Sequence, residues 1–378
     1  MLIKSAAHTF KKYWNNFPGW RTNRKIIVFE SDDWGSIRMP SKEVYNYCIQ
    51  NGYHVNKNIY SRYDSLASQD DLEALFNLLI SFKDQSGRYP VFTANCLVAN
   101  PDFARIKESN YTEYYYELLT DTFKKYPNHH RNWEIWQKAA EEGLFFLQSH
   151  GREHLNVQRF LFDLTQGNED ASFSFELEMP GIFSKNKVSQ GNQYIVPLEF
   201  YSDKDRHDKA HIISDGLDIF ETLFGYKSKS FIAGNFTWDS EVEKILFKKS
   251  VKYIQGSKNQ LVPKGYYSGF HKIRHTLGEN NIQKQTYLIR NVEFEPSANP
   301  DADYVNKCLK EIEISFRMGK PAIISSHRIN YVGFIDEANR DRSLNLLNKL
   351  LIEIFKRWPD IEFMTSVELG ELINTNEK

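Results

Sequence analysis

The sequence predicts a parallel β/α architecture, and three observations predict it. Short apolar runs recur along the chain. They are continuous rather than alternating, as strands covered on both faces must be. Helical patterns with apolar spacing near 3.6 stand between them. The strand candidates are Lys25–Ser31, Pro90–Asn95, Leu144–Ser149, Lys229–Ala233, Val251–Gln255, Thr286–Val292, Ala322–Ser326 and Ile361–Met364. An open doubly wound sheet and a closed barrel both satisfy such alternation, and periodicity does not separate them.

Each helix has its own signal. Ser68 is a good N-cap for Asp70–Phe82, and Gly87 follows its end. Tyr111–Lys125, Trp133–Glu142, Lys209–Leu223, Ser240–Lys249, Tyr304–Met318 and Arg340–Arg357 carry the helical period, with Pro359 just after the last. Two polar stretches without a clear period, 166–206 and 256–285, interrupt the alternation. Both are expected to be loop insertions on the barrel, with room for small strands, rather than separate domains.

Composition narrows the function classes. With 41% hydrophobic and 26% charged residues over 378 positions, the chain is ordinary globular material with enough length for a full core. A net charge of −1 gives no global attraction to nucleic acid or to an acidic membrane. Cys48, Cys96 and Cys308 are too sparse for a disulfide framework or a thiolate zinc site. The N-terminal stretch lacks the apolar region of a signal peptide, and no apolar run of about 18 residues occurs, so a cytoplasmic location without a membrane span is expected.

The chemistry gathers at strand ends. The first strand runs into Asp32-Asp33-Trp34-Gly35, the third into His150-Gly151-Arg152-Glu153-His154, the fourth into Gly234-Asn235 and the seventh into His327-Arg328. In parallel β/α folds ligands sit at the C-terminal strand ends, and a barrel would bring all four around one mouth. Two adjacent carboxylates after a buried strand need a positive partner. His150 and His154, at i and i+4, can share a face and suit a divalent metal. With Asp33 they make three protein ligands and leave a position open, the ligand count of a catalytic site. Asp32 is then free to accept a proton from water, and His327 to protonate a leaving group.

Spacing alone is weak. Chance predicts roughly 0.3 His-x3-His pairs among 11 histidines, and three occur: His150/His154, His207/His211 and His271/His275. The first is preferred because it follows a strand directly. Asp32-Asp33 also reads as a helix N-cap region, His327 as a core histidine and Asn235 as a turn residue. Trp34 and Trp238 divide evenly between core lids and sugar platforms.

At these residues the sequence resembles the polysaccharide deacetylases of the glycoside hydrolase/deacetylase barrel superfamily. Val28-Phe29-Glu30-Ser31-Asp32-Asp33-Trp34-Gly35 is similar to the family's first motif, with one extra residue before the glycine. His150 to His154 matches the second, and Ile323-Ile324-Ser325-Ser326-His327 the last, in the family's order. The resemblance spans roughly Lys25–Leu372. It implies a distorted (β/α)7-type TIM-like barrel over 25–378, after an N-terminal extension of 1–24. It implies Asp32 as general base, Asp33, His150 and His154 as metal ligands and His327 as general acid. It also implies an oxyanion contact near Asn235, a carbohydrate substrate, and hydrolysis of an N- or O-acetyl group. Zn2+ is the default metal, and Co2+, Ni2+ or Mn2+ suit the same ligands.

Three departures stand out. The third motif, Ser230–Asn235, carries no arginine to brace the base; Arg328, Arg152 and Arg38 are the candidates. Arg328 and the two tryptophans are also candidate substrate contacts. The fourth motif's tryptophan is missing near Val251–Asn259, and Ser325 stands where an acetyl-lining leucine is usual. Two other readings follow. One is a glycosidase with Asp239 or Glu295 as second carboxylate. The other is a carbohydrate-binding pseudoenzyme.

Overall fold

The computed structural model describes residues 12–185, 194–265 and 268–375. The first part of the N-terminal extension and a piece of each polar insertion lie outside the described residues.

The strands, in chain order, are β1 (Lys25–Trp34), β2 (Phe92–Cys96), β3 (Ala99–Pro101), β4 (Tyr116–Leu118), β5 (Phe145–Ser149), β6 (Ser230–Ile232), β7 (Tyr253–Gly256), β8 (Asn259–Pro263), β9 (Phe270–Arg274), β10 (Thr286–Ile289), β11 (Val292–Glu293), β12 (Ala322–His327) and β13 (Ile361–Phe363). Nine form one sheet with the path β10-β7-β6-β5-β2-β1-β12-β11, and β13 pairs with the first three residues of β1. Its pairings are all parallel. The two ends of that path are consecutive in the chain. Only Arg290 and Asn291 separate β10 from β11. The Arg290 amide donates to Gly256 of β7, and the Asn291 amide to Ile323 of β12. The sheet therefore closes on itself through this dipeptide. With β10 and β11 taken as one interrupted strand, the ring has seven members, a distorted (β/α)7-type barrel.

Both faces of the strands are covered, which explains their continuous apolar character. On one face Ile27, Phe29, Phe92, Phe145 and Ile324 pack with Leu72, Trp136, Ile312 and Leu351 from the surrounding helices. On the other, Ile26, Val28 and Ile323 meet Leu288, Tyr253 and the C-terminal helix Ser366–Thr375. Along this second face of β1 the order is Ile26, Val28, Glu30, Asp32, so the lining turns polar toward the C-terminal end.

Some expectations are corrected. Tyr111–Lys125 is not one helix; only Leu119–Lys125 is. Asn110 and Tyr111 take left-handed backbone conformations, and β4 pairs antiparallel with β3, which consumes the intervening residues. The run Thr286–Val292 is two strands, broken at the closing dipeptide. The stretch 166–206 contains the helix Glu169–Glu176 and the start of Asp203–Phe224, while 256–285 carries the β8–β9 hairpin. Short helices at Lys42–Gln50, Ile59–Tyr63 and Phe103–Glu108 occupy much of the distance from Asp33 to His150.

Above the strand ends one buried ion pair ties three segments together. Arg328, after β12, grips Asp64 through three hydrogen bonds of 3.0–3.1 Å and donates to the Ser36 carbonyl. Both partners are fully buried. Arg328→Met strands the Asp64 charge and is expected to cost about 3–5 kcal/mol in urea unfolding. Adding Asp64→Leu is expected to recover most of that loss; a double variant no better than the single one contradicts the assignment.

Candidate active site

The site grows out of an irregularity in β1. Successive strand residues face opposite ways, so a regular strand could not aim Asp32 and Asp33 at one mouth. The pairing of β1 with β2 shifts register between Ser31 and Trp34, and Asp33 takes φ +71°. That left-handed residue in an otherwise extended strand is a bulge that redirects a side chain. Both carboxylates then line one cavity of about 370 Å³, together with His150, His154, Asn235 and His327.

Asp33, His150 and His154 each offer a ligand atom, and these atoms lie within 4.8 Å of one another. Asp33 Oδ1 is 3.4 Å from His150 Nε2 and 3.8 Å from His154 Nε2. His150 Nδ1 lies 2.9 Å from the Ile232 carbonyl, which can only accept, so Nδ1 carries a proton and Nε2 is the atom turned toward Asp33. Burial, reinforced by the Arg38 charge, pushes His154 down to about 3, so that ring is neutral. Burial works to raise Asp33, but Arg38 and His150 outweigh it and hold the carboxyl well below its ordinary range. A buried carboxylate and two imidazoles thus converge, a donor set suited to a divalent cation. Backbone space is also fitted to His154: a Cβ at Gly234 would lie 3.0 Å from its Nε2 and 2.9 Å from Pro197.

Asp32 has a different environment. Arg290 Nη1 and Nη2 donate to its two oxygens at 2.7 and 2.6 Å, and Arg290 Nε reaches Glu30 at 2.5 Å. Asn95 Nδ2 adds a bond of 2.8 Å and bonds Gln255 equally closely. Burial opposes ionisation of Asp32, yet Arg290 overrides it and brings the carboxyl down to about 2. Glu30 is raised by its complete burial, partly offset by Arg290. Across the mouth, His327 Nε2 stands 3.7 Å from Asp32, and its Nδ1 lies 2.5 Å from Glu295, which Asn330 also holds. Burial would lower His327, but Glu295 and Asp32 outweigh it and push it up to about 10.

Several expected contacts are corrected. Trp34 is 1% exposed, packed edge-on against Phe145. Trp238 is 2% exposed and donates to Glu243. Arg328 is fully enclosed with Asp64. None of the three lines the cavity. Of the arginines weighed as braces, Arg152 pairs with Glu153 and Asp215, Arg328 with Asp64, and Arg38 lies nearest Asp33 and Asp64. Arg290 braces Asp32 instead. Asp239 N-caps the helix Ser240–Lys248 and pairs with Arg206, away from the cavity. Glu295 is engaged by His327 and is not among the residues lining the cavity. Of the other histidine pairs, His275 is buried on Gln260 and Tyr287 while His271 is exposed. His207 bonds the Asp203 carbonyl. The signal for Arg290 was present: an arginine inside the buried run Thr286–Val292 needs an anion within reach.

No family model matches the chain, and no curated protein does. Solved structures similar to it include a putative polysaccharide deacetylase from Mycobacterium smegmatis, at 10% identity and TM-score 0.46, with 95% of this chain and 94% of that one covered. A 4-alpha-glucanotransferase from Thermococcus litoralis gives 11% identity and TM-score 0.45; 93% of this chain is covered but only 40% of that one. The peptidoglycan deacetylase PdaC from Bacillus subtilis gives 11% identity and TM-score 0.36, with 94% of each chain covered. This chain thus spans about two fifths of the glucanotransferase's length. Among the described residues no helix is long and apolar enough to cross a membrane.

Arg290→Gln tests the bracing pair. Asp32 is held near 2 against an ordinary 3.8, so its pairing contributes stability above pH 3.8 that is lost as pH falls toward 2. The variant leaves unpaired carboxylates and is expected to be less stable by about 3–5 kcal/mol at pH 7. That gap narrows on acidification toward pH 4, because protonation removes the unpaired charge. A gap that stays constant with pH contradicts the pairing.

Proposed function

We propose that this chain is a metal-dependent hydrolase that removes an acetyl group from a carbohydrate. The observation that carries the reading is the convergence of Asp33, His150 and His154 on one point of a cavity whose walls also hold an arginine-braced carboxylate and a carboxylate-braced imidazole. The order of the motifs along the chain supports the carbohydrate and the acetyl group.

A divalent cation held by Asp33, His150 and His154 supplies Lewis-acid activation of water and of the acyl carbonyl. Zn2+ is the metal we assign, with Co2+, Ni2+ and Mn2+ suited to the same donors. Asp32 is ionised at neutral pH and fixed by Arg290 and Asn95, so it accepts a proton from the attacking water in one orientation. His327 is protonated, faces Asp32 from the opposite wall, and delivers its Nε2 proton to the departing amine or alcohol. Glu295 accepts from Nδ1 and so keeps Nε2 turned toward the cavity. Asn235, with its backbone in the left-handed region, borders the same space and contributes to the oxyanion contact. Arg290 supplies what the third motif lacks, which removes one ground for the pseudoenzyme reading.

Acetate release from a panel of N- and O-acetylated sugars tests the reaction. Release that stops on chelation and returns with added Zn2+ or Co2+ is expected; no release from any member at any metal loading contradicts it. The acid is tested separately by Glu295→Gln. His327 must be protonated, and its raised pKa keeps it so up to about pH 10. Removing the Glu295 charge is expected to move the alkaline limb of kcat/KM to lower pH and to reduce kcat by about 10–10². An unchanged limb assigns it to another group.

A further inference from the structure

One cation in the cavity has no place in the mechanism above. Arg38 follows the β1 bulge and lines the cavity, as Asn58, Tyr60 and Ser61 do. Its side chain is 12% exposed. Its nearest carboxylate oxygens, on Asp33 and Asp64, lie at 3.7 and 3.6 Å, past hydrogen-bond reach. Its Nε is buried without a hydrogen-bond partner among the described residues. Its charge favours the ionised form of both neighbours, yet it completes a hydrogen bond to neither. Asp64 is already gripped by Arg328 through three hydrogen bonds, and Asp33 faces two imidazoles. A guanidinium left with unmade hydrogen bonds in a buried wall is costly. A divalent cation held by Asp33 would add a second positive charge near Arg38, whose Nη2 lies 3.7 Å from Asp33 Oδ1.

A ligand oxyanion answers both costs. From this geometry we infer that Arg38 is a specificity-determining residue that selects substrates bearing a carboxylate or phosphate close to the scissile acetyl group. The planar fork of arginine matches either oxyanion with two parallel hydrogen bonds. Asn58 and Ser61, which also line the cavity, offer further amide and hydroxyl donors. The lining also includes the apolar side chains Met39, Met179, Phe183, Ile195 and Phe236. This assignment rests on the proposed deacetylation and names its substrate class: an acetylated acidic sugar or a sugar phosphate.

The test supplies N-acetylglucosamine in three forms, neutral, as the 6-carboxylate and as the 6-phosphate, to the Zn2+-loaded full chain. Acetate release and calorimetric binding are both read. At least one anionic form is expected to exceed the neutral one by about 30-fold or more in kcat/KM, with the preferred form telling carboxylate from phosphate. Arg38→Gln is expected to bring that ratio close to one, and Arg38→Lys to restore part of it. A neutral sugar preferred by the wild type, or a ratio unchanged in Arg38→Gln, overturns the assignment. Binding separates the two levels. Anion binding that depends on Arg38 but yields no acetate overturns the hydrolase reading and supports the anion site. Acetate release without any anion preference overturns the anion site alone.

Discussion

Neighbouring residues of a strand face opposite ways, and at this site Asp32 and Asp33 must face the same way. The bulge in β1, with Asp33 in the left-handed region, meets that constraint. A non-glycine residue in that conformation is strained, and the surrounding sheet has to hold it there. β1 is well placed to do so: it pairs with β2, β12 and β13 and is buried along nearly all its length. The strand that carries the two carboxylates is thus among the most constrained in the barrel.

From that point the two carboxylates diverge in character. Asp33 meets two imidazoles, one of them, His154, kept neutral by burial, and Arg38 approaches it only to 3.7 Å. Asp32 meets a fixed guanidinium and stays ionised without any ligand. Arg290 does two things at once. Its amide helps close the barrel against β7, and its side chain neutralises Glu30 and Asp32 inside it. Closure of the fold and tuning of the site therefore depend on the same two-residue break between β10 and β11.

The order of strands and most long helices was legible in the sequence because continuous apolar runs and 3.6-residue periods survive without tertiary context. Closure of the barrel was not, since Thr286–Val292 reads as one uninterrupted run. The residues that converge on Asp33 were legible because His150 directly follows β5 and His154 stands four residues after His150. Their supporting partners were less so: Arg290 and Asn95 reach Asp32 from strands far along the chain, and only the folded register shows which arginine arrives. Trp34, Trp238 and Arg328 failed as substrate contacts for one reason. Proximity in sequence to a site residue does not say which way a side chain points, and in all three it points into the packing.

The central claim is that Asp33, His150 and His154 hold a single cation. Elemental analysis of the purified, exhaustively dialysed protein beside Asp33→Ala and His150→Ala tests it most directly, provided that circular dichroism shows all three folded. About one divalent ion per chain in the wild type, with a large loss in both variants, is the result this account predicts. The same metal content in all three proteins would contradict it.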